Sequence, residues 1–528
     1  HELLAAVSPL EEQELERALV ELLDAELIYR RGLPPQVTYE FKHALVQDAA
    51  YQSLLKSTRQ QYHQRVAQTL EQGFPQIVEA EPELVAHHYS AAQLPTEAIS
   101  YWQKAGERAK ERSANEEAAT HFSKGLELLA TQPDTPERAA RELDINIALG
   151  PALTALKGPA TSEVGQVYGR ARELSKHVGN ASQRFTATWG MWIHHHFNAQ
   201  LRTALGLAEE ILALAEQEDD PTLRLEARHA AWTTRFYVPE WASCRANAEQ
   251  GIALYDMNQH HALGLVYGGH DPGVCAHNNL GISLWYLGYP DQALAQSQQA
   301  MQLAELLSHP MSLALAFSYS CWTRHCRGEA NDTRQGTKDT IRQCTEHSVA
   351  PHHVALVTVL GGWALAAQGH VQEGIAEMEQ GLGGRGRTRG SPLRRPQNLV
   401  LLASAYETIG KTQEGRGAIA EALEIIAKTQ ERWCESEIYR IEGQILLSGS
   451  AKNQSAAEDS FKQAIEVARH HQTKSLELRA ATSLARLWGD QGKRTQAQEL
   501  LTPVYGWFTE GFDTADLKEA KALLDELA

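Results

Sequence analysis

Histidine and cysteine are the residues whose spacing first invites chemistry in this sequence. Cys321, Cys326, Cys344 and His347, with His325 beside them, match a zinc ligand set in number. A closed zinc site needs four donors converging at about 2.0–2.3 Å, usually presented from turns. Cys321 and Cys326 instead lie at the end of an apolar helical run, and five residues along a helix turns them about 140° apart. They are read as small core residues. The triplet His194-His195-His196 and the pairs His87-His88, His260-His261, His352-His353 and His470-His471 suggest a metal or a pH sensor. Neighbours on a helix diverge by about 100° and do not share one ion, so these are assigned to helix faces and inter-repeat packing. No metal is expected in the chain. Gly410-Lys411-Thr412 imitates the end of a phosphate-binding loop, but Ala405 stands where the upstream glycine belongs. The run Gly383–Gly390 with Arg385, Arg387 and Arg389, followed by Arg394 and Arg395, is the only basic low-complexity stretch. Those five guanidinium groups are anion-contact candidates, although a solvated loop is the favoured reading because no aromatics are interleaved to stack bases. In His270-Asp271-Pro272, Asp suits an N-cap and Pro the first helical position, and His270 and Asp271 are candidates to border a groove.

Composition limits what can position these residues. In 528 residues there are 49 Lys+Arg against 66 Asp+Glu, a formal charge of −17, with 43% apolar and 22% charged residues. That acid excess argues against a protein devoted to holding a nucleic-acid backbone. No run of about 18 apolar residues appears, so no membrane contact is expected. Six cysteines in this length suit a reduced, cytoplasmic setting. The first residue is His1 rather than Met, so the sequence is expected to be a piece of a longer chain.

Repetition dominates the rest. Leu280, Gly281, Leu284, Gly288, Ala293, Ser297 and Ala300 have the spacing of a tetratricopeptide helix–turn–helix unit. Gly288 marks the turn, and the small residues let the two helices approach closely. Leu402, Ala403, Tyr406, Gly410, Gly415, Ile419 and Ala422 repeat the pattern, as do Gly362, Leu365, Gly369, Gly374, Met378 and Gly381. A fourth unit runs Leu484, Ala485, Trp488, Gly492, Ala497, Leu501, Val504. The expected fold is all-α, a right-handed tetratricopeptide-like α-solenoid over 76–528, preceded by a partial winged-helix domain over 1–75. In that first part Leu10–Leu27 is amphipathic, Leu27–Phe41 has the pattern of a hairpin with a turn at Gly32–Pro35, and a long helical stretch follows from His43 to about Gly73.

The segment Phe41-Lys42-His43-Ala44-Leu45 resembles the winged-helix end of STAND-class signalling ATPases, with His43 where that class carries the histidine of its Met-His-Asp motif; Lys42 and Ala44 replace the flanking Met and Asp. The stretches Pro82–Tyr89, Tyr267–Val274 and Tyr505–Phe512 are similar to the C-terminal half of a bacterial family that joins a class III adenylate/guanylate cyclase, an AAA-type ATPase, a winged helix and tetratricopeptide-like repeats. The resemblance implies that His43 senses the β-phosphate of ADP in the intact protein. It also implies that ATP or ADP and Mg belong to modules upstream, while this chain is non-catalytic and carries no cofactor. Expected partners are a protein or peptide in the concave groove and, within the same molecule, the ATPase and cyclase modules. Residues 1–75 carry seven Lys+Arg against eleven Asp+Glu, so DNA binding is not expected. A stand-alone repeat adaptor and a winged-helix transcriptional activator are the alternative readings.

Overall fold

The computed structural model describes residues 1–33, 36–218, 220–347, 351–383, 393–449 and 453–528. The described residues form a tetratricopeptide-like helical array, and among them one β-hairpin stands near the start. The chain divides into two compact units, His1–Gly158 with Gln166–Gln183, and Pro159–Gly165 with Arg184–Ala528.

In the first unit, the helix Glu12–Asp24 turns Leu15 and Leu19 against Ile28. Ile28 opens β1 (Ile28–Leu33), which pairs antiparallel with β2 (Gln36–Phe41), Ile28 opposite Phe41. The helical stretch expected from His43 to about Gly73 consists of two helices, Ala44–Ser53 and Lys56–Gly73. Leu54 and Leu55 adopt extended backbone (ψ 141° and 147°) between them. Ser53 Oγ returns a hydrogen bond to the Ala50 carbonyl (2.7 Å), local competition of the kind that ends helices. Three of the next helices, Pro75–Ala80, Pro82–Ala91 and Pro95–Glu111, begin on proline, whose missing N–H costs nothing at that position. Leu70, Val85, Tyr89 and Trp102 pack between them.

The second unit is a succession of helical hairpins. Pro272–Leu287 pairs with Pro290–Leu307, Pro310–Cys326 with Ala330–Glu346, and Pro351–Ala367 with Val371–Gly381. Arg395–Thr408 pairs with Thr412–Thr429, Glu435–Gly449 with Gln454–His470, and Lys474–Asp490 with Arg494–Tyr505. The turn glycines legible in the repeats, Gly288, Gly369, Gly410 and Gly492, all have φ between 72° and 96°, a region open to glycine and strained for other residues.

This unit also returns on itself. Ser475 Oγ donates to the Trp285 carbonyl, 190 residues away. Glu510 accepts from the backbone N–H groups of Asp291 and Gln292 (3.0 Å each), so a carboxylate near the end of the chain caps the Pro290 helix. Inside, Trp241 stacks on Tyr286 (4.2 Å), and Phe236, Trp322 and Trp433 meet with ring centroids 5.1–5.6 Å apart. Helices distant in sequence thus share one aromatic core.

Candidate functional site

The residues singled out from the sequence fall in different environments. His43 is exposed at the N-cap of the Ala44 helix, and its side chain makes no capping hydrogen bond. Arg385, Arg387 and Arg389 lie outside the described residues. Arg394 is drawn inward: its guanidinium sits over Trp322 (4.4 Å) and Tyr319 (4.8 Å), and Nε donates to the Tyr237 hydroxyl (2.9 Å). Its backbone N–H reaches the buried Glu431 carboxylate (2.7 Å). Arg395 pairs instead with Glu421 (2.6 Å). Cys321 faces the Thr340 hydroxyl (3.7 Å), and burial pushes its thiol up to about 12. Asp271 caps the Pro272 helix, accepting from the Val274 N–H (3.0 Å) as its position before Pro272 suggests. It also accepts from the Tyr255 hydroxyl (2.8 Å) and His261 (3.1 Å), which ties down the connection between 255 and 271, with its short helical turns Met257–His260 and His261–Leu265.

His270 meets two residues that the sequence reading had not joined to it. The His229 and His270 Nε2 atoms face one another at 3.3 Å, and Cys275 completes a trio whose ligand atoms lie within 4.8 Å of one another. His229 comes from the helix Pro221–Tyr237, His270 from the loop, and Cys275 from the first turn of the Pro272 helix. Gly268 (φ 78°) and Gly269 (φ 76°) bend the chain so that the His270 ring folds back. A Cβ at Gly268 would stand 3.1 Å from that ring, so the position is constrained twice. His270 Nδ1 donates to the Gly268 carbonyl (2.9 Å), and His229 Nδ1 bonds to Glu226 Oε2 (2.9 Å). Trp232 stacks on His229 (5.2 Å), and Trp189 lies edge-on to it (6.0 Å). Glu226, His229 and Cys275 are buried, while His270 is half-exposed. Burial alone would raise the Cys275 thiol, but the two imidazoles outweigh it and hold the thiol well below its ordinary value. Burial raises the Glu226 carboxyl.

A second feature is open to solvent. A cleft of about 870 Å³ lies among the Trp241–Leu254 helix, the turn at Tyr289, the start of the Lys474 helix and Trp507. Trp507 is 37% exposed and meets Tyr289 (5.6 Å); Lys474 stands over Trp507 (5.6 Å) and Arg245 over Tyr289 (5.6 Å). Three basic side chains (Arg245, Arg469, Lys474) line it against two acidic ones (Glu249, Glu477).

The Glu226-x-x-His229 pair on one helix face was the available sequence signal for the buried trio, but nothing local links it to His270 and Cys275, 41 and 46 residues on.

No family model matches the chain. An uncharacterised protein of Rhizobium meliloti is 24% identical over 471 residues, which cover 88% of this chain and 45% of that protein, so the chain spans less than half of its relative. Similar solved structures include a Rap protein complexed with competence and sporulation factor, at 11% identity and a TM-score of 0.43, covering 82% of this chain and 99% of that one. The apo form of the quorum sensor NprR from B. thuringiensis has 11% identity and a TM-score of 0.44, covering 70% of this chain and 99% of that one. The APC/C assembly Cut9–Hcn1 has 12% identity and a TM-score of 0.41, covering 92% and 94%. Among the described residues no helix is long and apolar enough to cross a membrane.

Proposed function

We propose that this chain is a non-catalytic, regulatory protein-interaction region of a longer signalling protein, and that the cleft around Trp507 takes a protein or peptide segment. The observation that carries the reading is the cleft itself. Two aromatic rings border the cleft beside three cations, each paired with Glu249 or Glu477, the chemistry of an anchor site for a segment with apolar and polar side chains. Its walls belong to the two stretches of the second unit that meet at closure, so a bound segment would bear on that contact. A ligand shifts such an equilibrium only by its differential affinity for the two arrangements.

From the resemblance in the sequence, the longer protein is read as an ATPase-containing cyclase in the cytoplasm. In it, residues 1–75 act as a winged-helix clamp and 76–528 as the receiving array, with His43 contacting nucleotide held upstream together with Mg. The test is turnover of ATPase and cyclase in the intact protein and in a form lacking 76–528, each with native Trp507 and with Trp507→Ala. Altered rates on deletion, with Trp507→Ala moving in the same direction, are expected. Identical rates in all forms would overturn regulation and leave plain scaffolding.

A further inference from the structure

We propose that His229, His270 and Cys275 bind one zinc ion, with a water molecule in the fourth position. The ligand atoms are selected by their surroundings. A carbonyl oxygen only accepts, so the hydrogen of His270 must sit on Nδ1, facing Gly268, and its Nε2 lone pair points into the trio. His229 gives its Nδ1 to Glu226, which leaves Nε2 on the same spot. Two imidazole nitrogens facing each other at 3.3 Å hold either a shared hydrogen or a metal ion between them, and the spacing suits the ion. Two Zn–N bonds of about 2.0–2.1 Å at a tetrahedral angle set their nitrogens about 3.3–3.4 Å apart, which matches the observed separation.

The outer contacts fit equally well. Histidines that ligate metals hand their other ring nitrogen to a carboxylate or a backbone carbonyl, and this trio shows one of each. Glu226 is fully buried, its second oxygen has no partner among the described residues, and its first is hydrogen-bonded to His229. A divalent ion offsets both that carboxylate and the Cys275 thiolate, and the buried group becomes neutral as a whole. Soft sulfur and imidazole donors favour zinc over magnesium or calcium, which take oxygen. The half-exposed His270 leaves a way in from solvent, and three protein ligands leave one position open.

Because one ligand lies on the loop, the ion would pin the connection ending at Asp271 to two repeat helices. The test uses the full chain. The purified protein, stripped with chelator and reloaded with zinc or cobalt, is measured for metal content, melting temperature and hydrogen exchange over 255–275. One equivalent of zinc, a thiolate-to-cobalt charge-transfer band, a higher melting temperature and slower exchange in that stretch are expected. Cys275→Ser should abolish the cobalt band, and His270→Gln, at the half-exposed position, should lower zinc affinity by at least tenfold with the far-ultraviolet helix signal unchanged. A native chain that retains no zinc above micromolar concentration, or the same metal content and band in Cys275→Ser, would overturn the proposal.

Discussion

His196 and His325 are both buried, and burial holds each imidazole down to about 3. His88, half-buried beside His63 and His87, is held to about 4, again chiefly by burial. In the unfolded chain these rings titrate near 6.5, so between about pH 6.5 and 3 the unfolded state binds more protons than the folded one. Their contribution to stability is therefore intact above pH 6.5 and lost as pH falls. The melting temperature should drop steadily from pH 6.5 to 4. His325→Phe keeps a ring against Trp363 (4.1 Å) and removes one proton site, so its melting temperature should fall less steeply over the same range. Equal slopes for the two proteins would refute the assignment. The sequence assigns His87-His88 to helix faces or inter-repeat packing without separating the two, because adjacent positions reveal nothing of burial; His87 is exposed and His88 half-buried, and the depth of His196 and His325 comes from helices packed over them.

At the scale of the helical hairpin, small residues set the separation of the axes. A Cβ at Gly362 would stand 2.5 Å from the Gly374 carbonyl oxygen, and one at Gly374 would press back on the Gly362 carbonyl. Backbone meets backbone here, so no side chain can swing aside. Gly362→Ala should cost about 1–3 kcal/mol through overpacking, read as a lower urea midpoint with the slope unchanged. Gly417→Ala, with open space around the added carbon, should cost nothing by that mechanism. These hairpins were legible in the sequence because their contacts are local: Gly281 with Ala293, Gly362 with Gly374, and the turn glycines between. The start of the Pro272 helix was legible for the same reason, since Asp271 bonds three residues ahead. The break at Leu54–Leu55 was not, because nothing in the apolar period interrupts there. The His229–His270–Cys275 trio escaped because the 255–271 stretch has no period, and its course is set by contacts such as Asp271 N–H to Ser312, 41 residues on.

Over the second unit as a whole, Arg327 is the clearest tie. Its side chain is 3% exposed and bonds the Pro290 carbonyl (2.8 Å), Asp291 (2.9 Å), Glu329 (2.6 Å) and Asp513 (3.3 Å). Asp291 and Asp513 are themselves well exposed, which screens their share of the energy. Arg327→Ala should cost about 2 kcal/mol and speed hydrogen exchange in 507–515 more than in the Pro351 hairpin. Uniform exchange across the unit would refute this tie. The closing contacts bear on how such a protein can change over generations. An open stack of repeats can gain or lose a hairpin by duplication or deletion, because each unit touches only its neighbours. Here a duplicated hairpin between Trp285 and Ser475 would carry Ser475, Glu510 and Asp513 away from their partners. The count of hairpins in that interval is fixed by the seam, and variation in length must be absorbed in loops rather than in whole repeats.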